Sequence, residues 1–477
     1  MLISIKPHSA ASIIVPLLLS GAFFSASLHA QDPEAGKSER VSDARVEVDS
    51  QDQRQLPDIS RMLIIDRPQP VTNGIDPPFP DYAMQNFVGE PSEDDSALDV
   101  VDSIELYRQT VTALESDGGA WERSLAQELS SLGELYQQQG SHLEAADAFS
   151  RAMQVNRIHS GLYSLEQIPA VDDLIESHLA LQNWEQADHY QNYLFHIQGR
   201  AYGKEDPRMI PAYERLANWN VRAFHLGVGD ALGLRLANAY FLFESAARIV
   251  DIHFGKSDER FVSYLSEMAD SAFLATRNRL LMVELDTPQY RTARDEHRSR
   301  LSETPVMHTQ GYSEGEQALR DIIAYHASRE GEELQLAEAV TQMGDWYLYF
   351  DRRRSATDRY QQAYEILESI EGEDRVARDY FQQVVPLPVF EHFEETLTLA
   401  ASSVDRPLAS GYADFLFTVT NYGVVTEIDV LTEETEENDR VLTRLRRELR
   451  DTRFRPIVID GEAVTSEANH FRYRYWY

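Results

Sequence analysis

One helical-hairpin pattern occurs twice in this chain, and its spacing constrains the fold more than any other feature. The first copy reads Leu132-Gly133-Glu134-Leu135-Tyr136, then Ala145, Phe149 and Ala152. The second reads Met343-Gly344-Asp345-Trp346-Tyr347, then Ala356, Tyr360 and Ala363, with the same internal spacing. Small residues recur where two helices must approach closely, and aromatic residues recur where the gap between helices must be filled. The pattern predicts a stacked array of helix pairs, an architecture that binds other proteins.

Helical periodicity begins near Ala97 and persists to about Val385, and it predicts five helix pairs. The connecting loops repeat as well, because Gly161 precedes Pro169 by the same interval that separates Gly203 from Pro211. These two loops are 42 residues apart. The fourth pair is interrupted by an irregular stretch near residues 285–312, and its second helix is predicted to use Ala318 and Ile322. An irregular helical bundle is the alternative to a regular array.

These residues resemble the tetratricopeptide repeat (TPR) family, and the 42-residue loops resemble the longer variant found in kinesin light chains. The resemblance implies a TPR-type α-solenoid over residues 98–385, in which the first helix of each pair lines a groove for peptides or partner proteins. The groove residues would then be Gln127, Ser130, Glu134, Gln137 and Gln138 in the first pair, and Glu338, Thr341, Asp345 and Tyr349 in the fifth. The Lys/Asn clamp that some members use for a carboxylate terminus is missing. We therefore expect a polar or basic ligand; the alternative is that these side chains only form a solvated helix face.

Residues 386–477 change from helical to strand patterns, and they predict a small α+β domain. The chain alternates from Ala413 to Thr420, turns at Asn421-Tyr422-Gly423, and forms a second strand from Val424 to Leu431. A helix follows from Asp439 to Asp451, then a short strand over residues 457–459 and a terminal strand from Phe471 to Tyr477.

This block resembles the C-terminal domain of TonB-type energy transducers. The matching residues are the Asn421-Tyr422-Gly423-Val424-Val425 hairpin and Arg453-Phe454-Arg455-Pro456 followed by Asp460-Gly461-Glu462-Ala463-Val464. The resemblance implies capture of an extended peptide by strand addition, which requires an exposed sheet edge. The predicted edge is the terminal strand, with Phe471, Tyr473, Tyr475 and Tyr477. The alternative is a solvent-facing strand that packs one face.

The first 30 residues have the pattern of a secretory signal peptide. Lys6 is their only charge, an apolar run extends from Ile13 to Phe24, and Ala30 ends a stretch of small residues. The run is shorter than the ~17–25 residues of a membrane-spanning helix. We expect cleavage after Ala30 and a periplasmic location. Residues 31–97, rich in acidic residues, Ser, Gln and Pro, are predicted to be a disordered tether. Within it, Met62-Leu63-Ile64-Ile65 is a strand-like run able to pair with a sheet edge elsewhere.

Composition excludes several classes of function. The formal net charge is −35, from 44 Lys and Arg against 79 Asp and Glu, which argues against binding nucleic acid or an anionic membrane through overall charge. The chain has no cysteine, which excludes disulfides, thiolate chemistry and a cysteine-linked lipid anchor.

Three sequence motifs resemble catalytic or ligand sites but lack the required context. Residues 311–315 fit the Gly-x-Ser-x-Gly nucleophile pattern without the buried strand that must precede it. Residues 227–233 resemble a dinucleotide-binding loop, but they join two predicted helices and lack the strand that precedes such a loop. His189 and His196 share a helix face without a third ligand for a metal. We therefore expect no catalytic residue, no metal site and no cofactor.

The sequence thus predicts an exported, non-enzymatic adaptor whose partners are proteins of the cell envelope. The main alternative is an energy transducer of the TonB type, held in the inner membrane by an uncleaved N-terminal anchor and coupled to outer-membrane receptors. A third interpretation treats the C-terminal block as a structural cap on the solenoid. Deleting residues 400–477 would then unfold the repeats, whereas both binding hypotheses predict that the repeats stay folded.

Overall fold

The computed structural model describes residues 64–65, 68–71, 96–229, 232–277, 310–370, 376–388, 410–435 and 438–476, all within the unit Asp58–Tyr477. The predicted signal peptide lies outside these residues, as does most of the predicted tether. The predictions of export and of a disordered tether stay predictions.

The helical part is a series of antiparallel helices in which each helix packs on the next along the chain. Their bounds are α1 Ser96–Gly118, α2 Leu125–Gln138, α3 His142–Ser160, α4 Ile168–Ala180, α5 Trp184–Tyr202, α6 Ile210–His225, α7 Leu232–His253, α8 Glu259–Arg277, α9 Gln310–Ala327, α10 Glu333–Tyr349 and α11 Arg353–Glu368. The pairs α2/α3 to α10/α11 confirm the five predicted helix pairs. The fourth pair is α8/α9, and it buries the predicted Ala318 and Ile322.

The repeated glycine and aromatic residues meet inside their helix pairs. A Cβ atom built on Gly133 would lie 2.6 Å from the ring of Phe149, and one built on Gly344 would lie 2.6 Å from the ring of Tyr360. Both rings are fully buried. Only glycine lets α2 and α10 approach the following helix this closely, because a methyl group would overlap the ring. The two sequence copies are therefore two copies of one packing contact.

The loops between pairs also share one construction. Gly161, Gly203 and Gly255 each have positive φ, at 100°, 88° and 84°. Three residues after each glycine, the side chains of Ser164, Asp206 and Asp258 accept hydrogen bonds from the backbone N–H two residues further on, at 3.1, 2.9 and 3.1 Å. A side-chain oxygen in this position satisfies one of the free N–H groups at a helix start. The same construction precedes the first helix of three successive pairs, α4/α5, α6/α7 and α8/α9.

The C-terminal module begins with α12 Val376–Phe381 and contains strands joined in antiparallel sheets. Its further elements are β3 Val385–Leu387, β4 Ser410–Val419, β5 Val425–Val430, α13 Asp439–Asp451, β6 Arg453–Arg455, β7 Ile457–Ile459, β8 Glu462–Val464 and β9 Ser466–Trp476. The β4–β5 hairpin, α13, β7 and the terminal strand β9 confirm the predicted elements. The module is therefore α+β, as the sequence predicts.

The main sheet contains two short strands from far upstream, β1 Ile64–Ile65 and β2 Gln69–Pro70. Its order is β1–β9–β4–β5, and β2 also pairs with β9. Leu442, Leu445 and Leu449 of α13 cover one face of this sheet, in one apolar cluster with the buried aromatic residues of β4 and β9. The strand-like run at Ile64–Ile65 does pair with a sheet edge, as predicted, whereas Met62 and Leu63 lie outside the described residues.

The structure places two predicted domain boundaries differently. Val385–Leu387 pairs with Arg453–Arg455, so a boundary after residue 385 cuts through β3. Residues 64–65 and 69–70, within the predicted tether, belong to the C-terminal sheet, and Val71 donates a further backbone hydrogen bond to His470 of β9. Hydrophobic periodicity does not detect such short pieces, since two or three residues are too few to show a period.

Candidate protein-binding surfaces

The first helices of the first three pairs lie side by side and are joined by polar contacts. Gln137 of α2 donates to the backbone oxygen of Asp173 and to Ser177 Oγ of α4, both at 2.9 Å. Arg215 of α6 reaches Asp172 of α4, with Nη1 2.5 Å from Oδ1. These contacts connect the polar sides of α2, α4 and α6. We call the connected sides the α2–α4–α6 face. By helix spacing, its α2 part carries the predicted residues Gln127, Ser130, Glu134, Gln137 and Gln138.

Negative charge is concentrated at the α2–α4 boundary of this face. Partial burial, together with the nearby carboxylates of Glu134, Glu176 and Asp172, raises the pKa of Asp173 to about 6. Glu134 and Glu176 are exposed, whereas Asp172 and Asp173 are half-buried. Sequence reasoning found Glu134 but missed the three acidic residues of α4. The signal was present, because α4 occupies in the second pair the position that α2 occupies in the first.

The fifth pair does not present the predicted open groove at two of its four residues. Asp345 receives a two-point contact from Arg455 of β6, with Nε 2.9 Å from Oδ1 and Nη2 2.5 Å from Oδ2. Tyr360 donates to the same Oδ1 at 2.8 Å. Thr341 is fully buried, and its Oγ1 donates to the backbone oxygen of Ala337 at 2.8 Å. The structure therefore corrects the assignment of Asp345 and Thr341 as groove residues: Thr341 is buried, and the partly buried carboxylate of Asp345 is bound by Arg455 and Tyr360.

The other two predicted residues of the fifth pair are accessible. Glu338 is exposed, and Tyr349 is half-buried against Phe273, with ring centres 4.7 Å apart. Their role in binding stays a prediction.

The C-terminal module packs directly on the last helix pair. Arg455 is only 7% exposed, and its guanidinium lies 5.7 Å from the ring centre of Tyr380. Val458 of β7 belongs to the same apolar cluster as the buried residues of α10 and α11. The core of the repeats thus continues into the module without a break.

The terminal strand β9 lies inside the sheet, with a neighbour on each side. Strand β4 pairs along one side of β9, while β1 and β2 pair along the other. The prediction of an open edge along β9 is therefore wrong for the described chain. The side chains of Phe471, Tyr473 and Tyr475 are buried against the module's own core, and Tyr477 lies outside the described residues.

The three motifs that resembled catalytic or ligand sites have structural explanations. Residues 311–315 lie within the first turns of α9, where Gly315 packs against the ring of Trp346. Gly227 and Gly229 have positive φ, at 70° and 89°, in the α6–α7 loop. His189 and His196 are both exposed on α5. The described ranges contain no group of three or more His, Asp or Glu arranged to hold a metal ion.

The described helices also lack any segment both long and apolar enough to cross a membrane.

No protein-family model matches the sequence, and no curated protein matches it. Among solved structures, the chain is similar to the nearly identical TPR-like repeats of a kinesin light chain candidate from Podosopora anserina. The sequence identity is 13% and the TM-score is 0.33, and the match covers 53% of this chain and 99% of that chain. BtubC (BKLC) from P. vanneervenii gives 12% identity, 58% and 91% coverage, and a TM-score of 0.30. The apo form of RapI gives 11% identity, 56% and 91% coverage, and a TM-score of 0.28. Similarities this distant support no conclusion about function. The evidence for a solenoid of helix pairs is the residue spacing and the helix packing of this chain itself.

Proposed function

We propose that this chain is a non-enzymatic scaffold that holds a basic or polar segment of a partner protein on the α2–α4–α6 face. The observation that carries the proposal is the half-buried carboxyl group of Asp173 beside three other carboxylates, on a surface joined across three helices. Mutual repulsion makes this site unfavourable when it is fully ionised and empty. A guanidinium or ammonium group placed there would relieve the repulsion.

The expected affinity is modest and depends on salt. Exposed ion pairs contribute roughly 0.2–1 kcal/mol each, and salt at physiological strength screens charges over about 8 Å. Several such contacts along an extended segment are needed for a stable complex. The three aligned helices provide the length for them.

The test is binding of a labelled peptide of alternating arginine and serine, followed by fluorescence anisotropy. Asp173→Asn is expected to weaken binding by about fivefold, because the loss of one ion pair at the upper end of this range, about 1 kcal/mol, changes an affinity by that factor. The matched control is Asp147→Asn, which removes the same charge from an exposed position on α3. Equal weakening in both variants would mean that overall acidity, rather than this face, attracts the peptide.

The C-terminal module supports a second proposal, capture of an extended partner segment by strand addition, as in the TonB-type domains that its sequence resembles. The observation that favours it is that β9 already pairs with an extended segment from outside the module, at residues 64–65 and 69–70. Main-chain pairing of this kind requires only free N–H and C=O groups along a strand.

Export to the periplasm, with cleavage after Ala30, completes the proposed function. It is supported by the apolar run and the small residues before Ala30. Mass and N-terminal sequence of the protein from its native host test it. A chain that begins at Gln31 and is released without detergent supports export, whereas a chain that retains Met1 in the inner membrane supports the energy transducer.

A further inference from the structure

Residues 64–65 and 68–71, here called the covering segment, run antiparallel along the outer side of β9. Ile64 and Ile65 pair with Trp476 and Tyr475. Gln69 and Pro70 pair with Arg472 and Phe471, and the N–H of Val71 donates to the oxygen of His470 at 3.0 Å. The covering segment therefore occupies the edge that strand addition would need.

The pairing of the covering segment is much less extensive than that on the opposite side of β9. Between Ile65 and Gln69 the register changes by one residue, so that β1 and β2 are two separate pieces. On the opposite side, β4 pairs with β9 along its whole length, from Ser410 to Val419. Loss of the covering segment would leave the β9–β4–β5 part of the sheet intact.

Two prolines reduce the number of hydrogen-bond donors on the outer side of the covering segment. Because the N–H of Val71 points toward β9, the alternation along a strand turns the nitrogen of Pro70 to the outer side. Pro68 is two residues earlier, on the same side, and neither proline carries an N–H. The outer side of the covering segment is thus poor in donors, which is how sheet edges resist the addition of another strand.

We propose that the covering segment is a built-in competitor for the outer edge of β9, an inference that rests on the strand addition proposed above. While it is bound, the sheet is closed to partners. When it leaves, the edge along residues 470–476 accepts an extended segment of a partner protein. The covering segment indicates the chemistry of that ligand: an extended strand with adjacent branched apolar residues, as in Ile64-Ile65, opposite Trp476 and Tyr475.

The covering segment competes as part of the same chain, and its effective concentration determines how strongly it excludes a free peptide. A tethered segment acts at an effective concentration on the order of millimolar, so even weak pairing keeps a free peptide away. Removing the covering segment should therefore tighten the binding of a free peptide by about tenfold or more, with no change in the peptide or in β9.

The first experiment compares two full-length proteins, the wild type and a variant with Gly and Ser at positions 64–65 and 68–71. The probe is a labelled synthetic peptide with the sequence of residues 62–72. The inference expects weak binding to the wild type and at least about tenfold tighter binding to the variant. Equal binding to both would overturn the competitor while leaving strand addition in place. Absence of binding to the variant would overturn strand addition itself.

The second experiment locks the covering segment in place. Because the chain has no cysteine, Ile64→Cys with Trp476→Cys introduces a single pair of thiols at positions that pair across the two strands. The oxidised protein should not bind the probe, and the same sample after reduction should bind as the wild type does. Equal binding before and after reduction would overturn the inference. A disulfide that links two chains would overturn it too, because the covering segment would then come from a second copy.

Discussion

At the scale of single residues, a glycine within a helix is needed for packing only where a neighbouring side chain occupies the space of a methyl group. Gly133 and Gly344 each face an aromatic ring at a distance that excludes a methyl group. Gly199 of α5 is different: a Cβ atom there would lie 3.7 Å from the Cε of Met209, an ordinary contact. Substitution by alanine at these three glycines therefore distinguishes the effect of close packing from the effect of helix propensity.

We predict that Gly133→Ala destabilises the protein by about 1–3 kcal/mol, because the added methyl group overlaps Phe149. Gly199→Ala should be neutral or stabilising by up to about 1 kcal/mol, since alanine favours a helix and meets no obstacle. Thermal unfolding measured by circular dichroism compares the two. A stabilised Gly133→Ala variant would contradict the packing role of this glycine.

A second prediction at this scale concerns Asp173 and pH. Its pKa in the folded protein is about 6, above the ordinary value for an aspartate, so the folded state binds more protons than the unfolded state between about pH 4 and pH 6. The contribution of Asp173 to the free energy of unfolding should therefore fall as pH rises through this range. Asp173→Asn should remove this fall and be more stable above pH 6 by about 1 kcal/mol, allowing for solvent screening of a half-exposed group.

Unfolding temperatures of the wild type and Asp173→Asn across this pH range are the measurement. Asp147→Asn is the matched control, since it removes the same charge from exposed α3. If both variants respond to pH in the same way, the effect does not belong to Asp173.

At the scale of elements, one buried ion pair joins the last helix pair to the C-terminal strands. Asp345 on α10 and Arg455 on β6 are linked at two points, and Tyr360 on α11 donates to the same carboxylate. The three groups come from three elements and satisfy one another away from solvent. Breaking one member of such a set leaves a buried charge without compensation.

We predict that Asp345→Asn destabilises the protein by about 3–5 kcal/mol, because Arg455 stays buried with its charge unpaired. The double variant Asp345→Asn with Arg455→Met should lose less than the sum of the two single variants. A double-mutant cycle in thermal or denaturant unfolding measures the coupling. Strict additivity would show that the two side chains do not depend on each other.

At the scale of the whole molecule, the helical array and the C-terminal module share one core. Apolar residues from α6 to α11 form one cluster with Phe381, Leu387 and Val458. In a repeat array each pair is supported mainly by its neighbours, so the last pair depends on what covers its outer side. These contacts favour the cap interpretation of the module, and a cap can also bind a partner.

We predict that deletion of residues 410–477 unfolds the array from its C-terminal end. Hydrogen exchange should show lost protection in α10 and α11, which lose the contacts of Arg455 and Val458, and retained protection in α2 to α5. Full protection of α10 and α11 in the truncated chain would show that the module does not act as a cap.

The amino-acid sequence by itself determined the helix pairs, their connecting loops and the strand–strand–helix order of the module. These features are encoded locally, because a period of small and aromatic residues, a loop glycine or an alternating strand is visible within a few turns of chain. It also predicted a polar face on α2, whose role in binding stays a prediction, but it could not show that α4 supplies the carboxylates beside it.

Only the tertiary structure decided which predicted surfaces are open. Asp345 has the same place in its pair as exposed Glu134, yet it is only partly exposed because Arg455, far along the chain, lies over it. Likewise β9 has the pattern of an edge strand, yet the covering segment closes it. The physical reason is the same in both cases. A free carboxylate and a free strand edge accept whatever donor the fold brings to them, and side-chain periodicity carries no information about contacts between such distant parts of the chain.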